Sequence, residues 1–119
     1  MCFACSDLLK KQSSAVVQLH GVASETKTIE HPTLQAINGT QTGDSWEFLL
    51  GFYDSNHTVL LSNQDSNHPA LASLTLAAGA TLQEVDGNSG VVAPAVDDSP
   101  LIPGFQVSLL PGDGRLFVL

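Results

Sequence analysis

Asp54, Asp65, Asp86 and Asp113 are the residues of this 119-residue chain with the clearest chemical potential. Two carboxyl groups roughly 5 to 9.5 Å apart across a sugar ring, one giving a proton and the other attacking or activating water, are enough for glycosidic bond cleavage. Each of the four, however, lies in a run of turn formers: Asp54-Ser-Asn, Asn63-Gln-Asp-Ser-Asn, Asp86-Gly-Asn-Ser-Gly and Pro111-Gly-Asp-Gly. An aspartate in such a run accepts hydrogen bonds from the backbone just beyond it and shapes the turn. The four are therefore expected to build turns, not a reaction centre. Asp97-Asp98, before Ser-Pro, is expected to be a solvated pair in a loop.

His57, Asp65 and His68 are ligand types that could hold a divalent metal at a hairpin end. His57 starts a strand-like run and His68 ends a loop before Pro69, so no fixed scaffold joins them, and no metal or cofactor is expected. His20 and His31 are weaker candidates still. Cys2 and Cys5 form a single Cys-x-x-Cys with no second pair to complete a zinc site and no preceding strand to make a thioredoxin-type motif. They are expected to be reduced thiols without a role. No serine sits in Gly-x-Ser-x-Gly, and no glycine-rich phosphate loop precedes a lysine. Trp46 and Tyr53 flank a strand-like run and are the candidate ligand-binding aromatics, as platforms for a sugar face; packing in the core or at an interface is the competing role for both. Nothing in this inventory supports an enzyme.

Composition narrows the partners. Twelve acids against four bases give a formal net charge of −8. Lys10, Lys11, Lys27 and Arg115 cannot form the basic patch that a phosphate backbone or an anionic membrane surface requires. Charged residues make up only 13% of the chain, against 43% apolar ones, so one core is available and the polar surface must come from neutral side chains. No run approaches the roughly 20 apolar residues of a membrane span. No signal peptide is visible at the start, which gives a cytoplasmic expectation.

The elements that must position these residues are mostly strands. Trp46 to Asn63 reads as two apolar, β-prone runs around Asp54-Ser-Asn, a hairpin signal. Phe48, Leu50 and Phe52 share one face of its first strand, and Glu47, Leu49, Gly51 and Tyr53 the other. Apolar residues on both faces make it an interior strand, and Gly51 marks a bulge or a close neighbour. Leu34 points inward with Ile37 a second candidate, Asn38-Gly39 reads as a turn, and Thr40 to Ser45 as a polar loop. Leu71–Leu76, Leu82–Val85, Val91–Ala95, Phe105–Leu109 and Arg115–Leu119 follow as strands. Ser6 to about Leu19 carries an N-cap, an acid in its first turn and a loose i, i+4 apolar pattern, which predicts a helix. Ser13-Ser14 weakens it, and a helix ending there would leave Val16-Val17 extended. Strands at intervals of about 10 residues point to an antiparallel sandwich of roughly seven to nine strands.

The order of these pieces resembles a known family. Leu8-Leu9-Lys10 through Leu19 is similar to a linker helix. Phe48-Leu-Leu-Gly-Phe-Tyr-Asp54, Val59-Leu-Leu-Ser-Asn-Gln-Asp65, Leu82-Gln-Glu-Val-Asp86 with Gly90, and Leu109-Leu-Pro-Gly-Asp-Gly-Arg-Leu-Phe117 resemble successive segments of the C-terminal β-sandwich that follows the catalytic (β/α)-barrel in bacterial glycoside hydrolases. The resemblance spans most of the chain. It implies an all-β domain, residues 1–19 a leading helix or linker and 20–119 the sandwich, here without its barrel and with no catalytic residue carried over. It implies a non-catalytic accessory or interaction module whose vacated docking face is covered by a second copy, as a homodimer, or by a protein partner replacing the barrel. A carbohydrate-binding module using Trp46 and Tyr53 is the alternative.

Overall fold

The computed structural model describes residues 13–22, 25–41, 45–53 and 57–119. Ten strands run through them: β1 (Ser13–Val22), β2 (Thr26–Thr28), β3 (Leu34–Gln41), β4 (Ser45–Tyr53), β5 (Thr58–Asn63), β6 (Ala70–Leu76), β7 (Gln83–Val85), β8 (Val92–Pro94), β9 (Phe105–Leu109) and β10 (Gly114–Val118). They form two antiparallel sheets, six-stranded in the order β1-β4-β5-β10-β7-β8 and four-stranded in the order β2-β3-β6-β9. The expected all-β sandwich is observed. The strand count exceeds the expected range because residues 13–22, most of them assigned to the expected helix, form a strand of their own.

The hairpin lies where the alternation put it. Leu50 faces Leu61 and Phe52 faces Val59 across β4 and β5. Phe48, Leu50, Phe52, Val59 and Leu61 are buried between the sheets. The opposing sheet contributes Leu34, Ile37, Ala72, Leu74, Val107 and Leu109 to the same core. On the other side of β4, Gly51 is buried because the Tyr53 ring lies over it: a Cβ there would be 2.8 Å from Tyr53 Cε2. Of the two reasons for a mid-strand glycine, the close neighbour is the one that applies.

Two expectations are corrected. The helix does not extend to Leu19, because residues 13–22 are strand β1, paired with β4 from Ser13 opposite Tyr53 to Val22 opposite Ser45. Val17 and Leu19 pack on the core. Pairing nine positions against a buried strand outweighs a loose i, i+4 pattern interrupted by serines. Residues 6–12, and with them the rest of the expected helix, lie outside the described residues, as do Cys2, Cys5 and Asp54.

Asn38-Gly39 is not a turn but the interior of β3. Gly39 is there for side-chain space, since a Cβ would meet Phe48 Cε2 at 2.6 Å and Trp46 Cγ at 2.8 Å. The register of β3 shifts between Leu34 and Ala36. That irregularity lets Leu34 and Ile37, of opposite parity, both reach full burial.

Candidate functional site

Arg115 is the hub of the polar interactions. It stands on the inward face of β10, two residues before the buried Phe117, whose ring centroid is 5.6 Å from its Cζ. Its Nε donates to Glu84 Oε2 at 2.8 Å and its Nη2 to Glu84 Oε1 at 2.5 Å, a bidentate pair onto neighbouring β7. Its Nη1 donates to Asp98 Oδ2 at 2.8 Å and to the Ser108 carbonyl at 3.0 Å. Asp98 lies in the β8–β9 connection and Ser108 on β9, so one guanidinium ties the two sheets together.

The Asp98 carboxylate beside it is held in its charged form. Burial works against the charge on Asp98, but the Ser108 amide at 2.8 Å and Arg115 outweigh it and hold the carboxyl below its ordinary range. Arg115 in turn is held more firmly protonated, chiefly by Glu84 and against its own burial. A general acid for sugar cleavage needs the opposite shift, a carboxyl pushed upward. Asp97 and Asp98 lie in the expected loop and Asp98 is exposed, but both carboxylates are also tied to β9. Asp97 Oδ1 accepts from Ser99 and Gln106 amides at 3.0 and 3.3 Å, and the Asp98 amide donates to the Gln106 carbonyl at 3.0 Å. With the two bonds at Ser108, the open edge of β9 is closed by this connection.

Beside Arg115 a cleft of about 630 Å³ opens between the β7–β8 hairpin and the following chain. Val91, Ala93, Pro94 and Val96 supply its apolar lining and Glu84, Asp86 and Ser89 its polar one. Apolar exposure continues beyond it: Val92 is 47% exposed, Val96 70%, Leu101 99% and Ile102 44%. This arrangement can bind an apolar surface; Glu84 is already engaged by Arg115, and Asp86 by the Asn88 and Ser89 amides.

The remaining aspartates among the described residues behave largely as turn builders. Asp86 Oδ1 accepts from the Ser89 and Asn88 amides at 2.8 and 2.9 Å, which lowers its pKa. Asp65 accepts from the Asn67 amide at 2.8 Å and from His68 Nδ1 at 3.0 Å, and both lower its pKa. Asp113 sits in the β9–β10 turn, where its amide donates to the Leu110 carbonyl. Asp65 and His68 thus do meet, while His57 lies at the other end of β5, its carbonyl accepting from the Leu119 amide. Among the described residues no three His, Cys, Asp or Glu side chains are grouped to hold a metal, and no helix is long and apolar enough to cross a membrane. His31 is a backbone acceptor: its Nδ1 takes the Thr33 and Leu34 amides at 3.0 and 3.1 Å, and its ring stacks on Phe52.

Trp46 is 1% exposed. Its ring stacks on Phe48 at 5.0 Å and its Nε1 donates to the Val22 carbonyl at 2.9 Å. Phe48, Gly21 and Gly39 crowd the ring, and at this burial the indole offers no platform to a sugar. Tyr53 is half-buried over Gly51. Trp46 and Tyr53, the candidate aromatics of the alternative carbohydrate-binding reading, are not presented together at the surface.

Glu84, Arg115 and the Val91–Ile102 surface are the features that sequence reasoning missed. The available signal was Arg115, the chain's one arginine, placed in alternation with Phe117 so that it must point inward. No family model, no curated protein and no solved structure matches the chain.

Proposed function

We propose that this chain is a non-catalytic accessory domain that docks on a larger protein body, in the manner of the β-sandwich that accompanies a glycosidase barrel. The observation that carries the reading is the exposed apolar stretch from Val91 to Ile102 beside the cleft. Five large apolar residues there are between 44% and 99% exposed, within twelve positions of one another. Exposed apolar side chains gathered along one stretch beside a cleft are a feature of surfaces that meet a partner. The stretch is anchored from behind, because Asp97, Asp98 and Arg115 fasten it to β9 and β10. A docking surface held rigid loses less freedom on binding.

The body it meets would be a catalytic barrel, on the same polypeptide or a separate one. The test is binding between this chain and the protein encoded directly beside it in the genome. The reading expects a complex that the double variant Val96→Glu and Leu101→Glu abolishes while the fold is kept. Binding unchanged by the double variant would contradict it.

A further inference from the structure

We infer that β1 is a self-recognition edge, through which two copies of this chain join their six-stranded sheets into one. Open edges are sites of unintended pairing, and proteins blunt them with shortness, proline, charge or a covering segment. Three of the four sheet edges among the described residues are blunted in these ways. β9 is covered by the Asp97–Asp98 segment and Arg115. β8 has three residues and ends on Pro94. β2 has three residues with Lys27 at its centre.

β1 differs on every count. It has ten residues, Ser-Ser-Ala-Val-Val-Gln-Leu-His-Gly-Val, with no proline and no acidic or basic group other than His20. In a chain of net charge −8, it is a stretch where two copies can approach without like charges meeting.

The ladder shows which of its groups are open. The Gln64 amide donates to the Glu47 carbonyl, and antiparallel bonding alternates along a strand. Glu47, Leu49 and Gly51 therefore bond toward β5, and Trp46, Phe48 and Leu50 toward β1. Their partners there are Gly21, Leu19 and Val17. Val16, Gln18 and His20 direct their amides and carbonyls away from the sheet, find no backbone partner for them among the described residues, and are all exposed. Val22 closes the edge, since its carbonyl accepts from Trp46 Nε1 and from the Glu25 amide.

A twofold axis at Gln18 pairs Gln18 with its copy and Val16 with His20 of the other chain. Every open group of the three residues is then satisfied, and the contact is self-complementary as a twofold interface requires. This edge is separate from the Val91–Ile102 surface, so either proposal can fail alone.

The test is the light-scattering mass of the intact chain across a dilution series. A strand-edge contact is smaller than a standard interface, so the series starts at about 100 µM. The expected mass at the top is twice the 12.5 kDa of one chain, falling on dilution. Gln18→Pro removes an outward amide that the β1–β4 ladder does not use, a position where proline is tolerated. Val16→Lys places a charge on the same edge. Both variants are expected to give the one-chain mass with unchanged far-ultraviolet dichroism, while Leu101→Glu leaves the wild-type mass unchanged. A one-chain mass for the wild type at the top concentration, or a two-chain mass for Val16→Lys, would overturn the inference; if Gln18→Pro does not fold, Val16→Lys decides alone.

Discussion

Arg115 on β10 grips both carboxylate oxygens of Glu84 on β7, and the same guanidinium reaches across to Asp98 beside β9. The pair is partly buried, with side-chain exposures of 21% and 26%. Hydrogen bonds to charged groups in such settings are worth about 1.5–3 kcal/mol. Arg115→Met leaves Glu84 and Asp98 without their cation, and a loss of about 2–4 kcal/mol in urea unfolding is expected. Arg115→Lys should recover only part of it, because an ammonium cannot bridge both carboxylates in the planar fork.

Asp98 also gives the fold an acid sensitivity of known sign. Its carboxyl titrates below the ordinary 3.8 in the folded chain, so at low pH the unfolded state binds more protons. The stability it contributes is fully present above that ordinary value and is lost as pH falls through the folded one. Asp65 and Asp86 shift in the same direction. Unfolding free energy measured from pH 6 down to about 2 should fall through this window, and Asp98→Asn should make the fall shallower.

Asn63 is buried at the end of β5 and joins two loops. Its Nδ2 donates to the His68 and Leu110 carbonyls at 2.8 and 3.3 Å, and its Oδ1 accepts from the Asp65 amide at 3.0 Å. Asn63→Ala should cost about 1–3 kcal/mol, since it removes the three hydrogen bonds by which a buried side chain joins the two loops. Asn63→Asp should cost at least as much, because it keeps the acceptor but turns a carboxylate toward two carbonyl oxygens. Thermal unfolding of the two variants side by side checks the order.

Trp46 is wedged between two glycines. A Cβ on Gly21 would meet its Cζ2 at 2.7 Å, and one on Gly39 would meet its Cγ at 2.8 Å. Gly39→Ala should destabilise by about 1–3 kcal/mol through overpacking, with a red shift in the emission of the chain's single tryptophan. A Gly39→Ala variant with wild-type stability would show that the packing around Trp46 is looser than described.

How much of this was legible follows from the range over which each signal acts. The β4–β5 hairpin was readable because its inward residues, its turn and its return strand are adjacent in sequence. Asn38-Gly39 misled because a glycine chosen to admit a neighbour's ring looks the same as one chosen for a turn. β1 was mistaken for helix because Leu8, Gln12, Val16 and Leu19 fit a helical spacing, while the strand that recruits Val17 and Leu19 lies more than twenty residues on. Trp46 stood at a strand end, where exposure is common, and it is the fold that brings Gly21 of β1 and Gly39 of β3 against it. Glu84 and Arg115 are 31 positions apart, so their pairing was invisible until β7 and β10 were known to be neighbours.

Val91–Ile102 is the surface proposed to meet another protein body. Hydrogen–deuterium exchange of this chain, alone and mixed with the protein encoded beside it, reads that surface directly. Slowed exchange concentrated in residues 91–102 is the predicted result. Unchanged exchange there, with protection appearing instead around Trp46 to Tyr53, would contradict it.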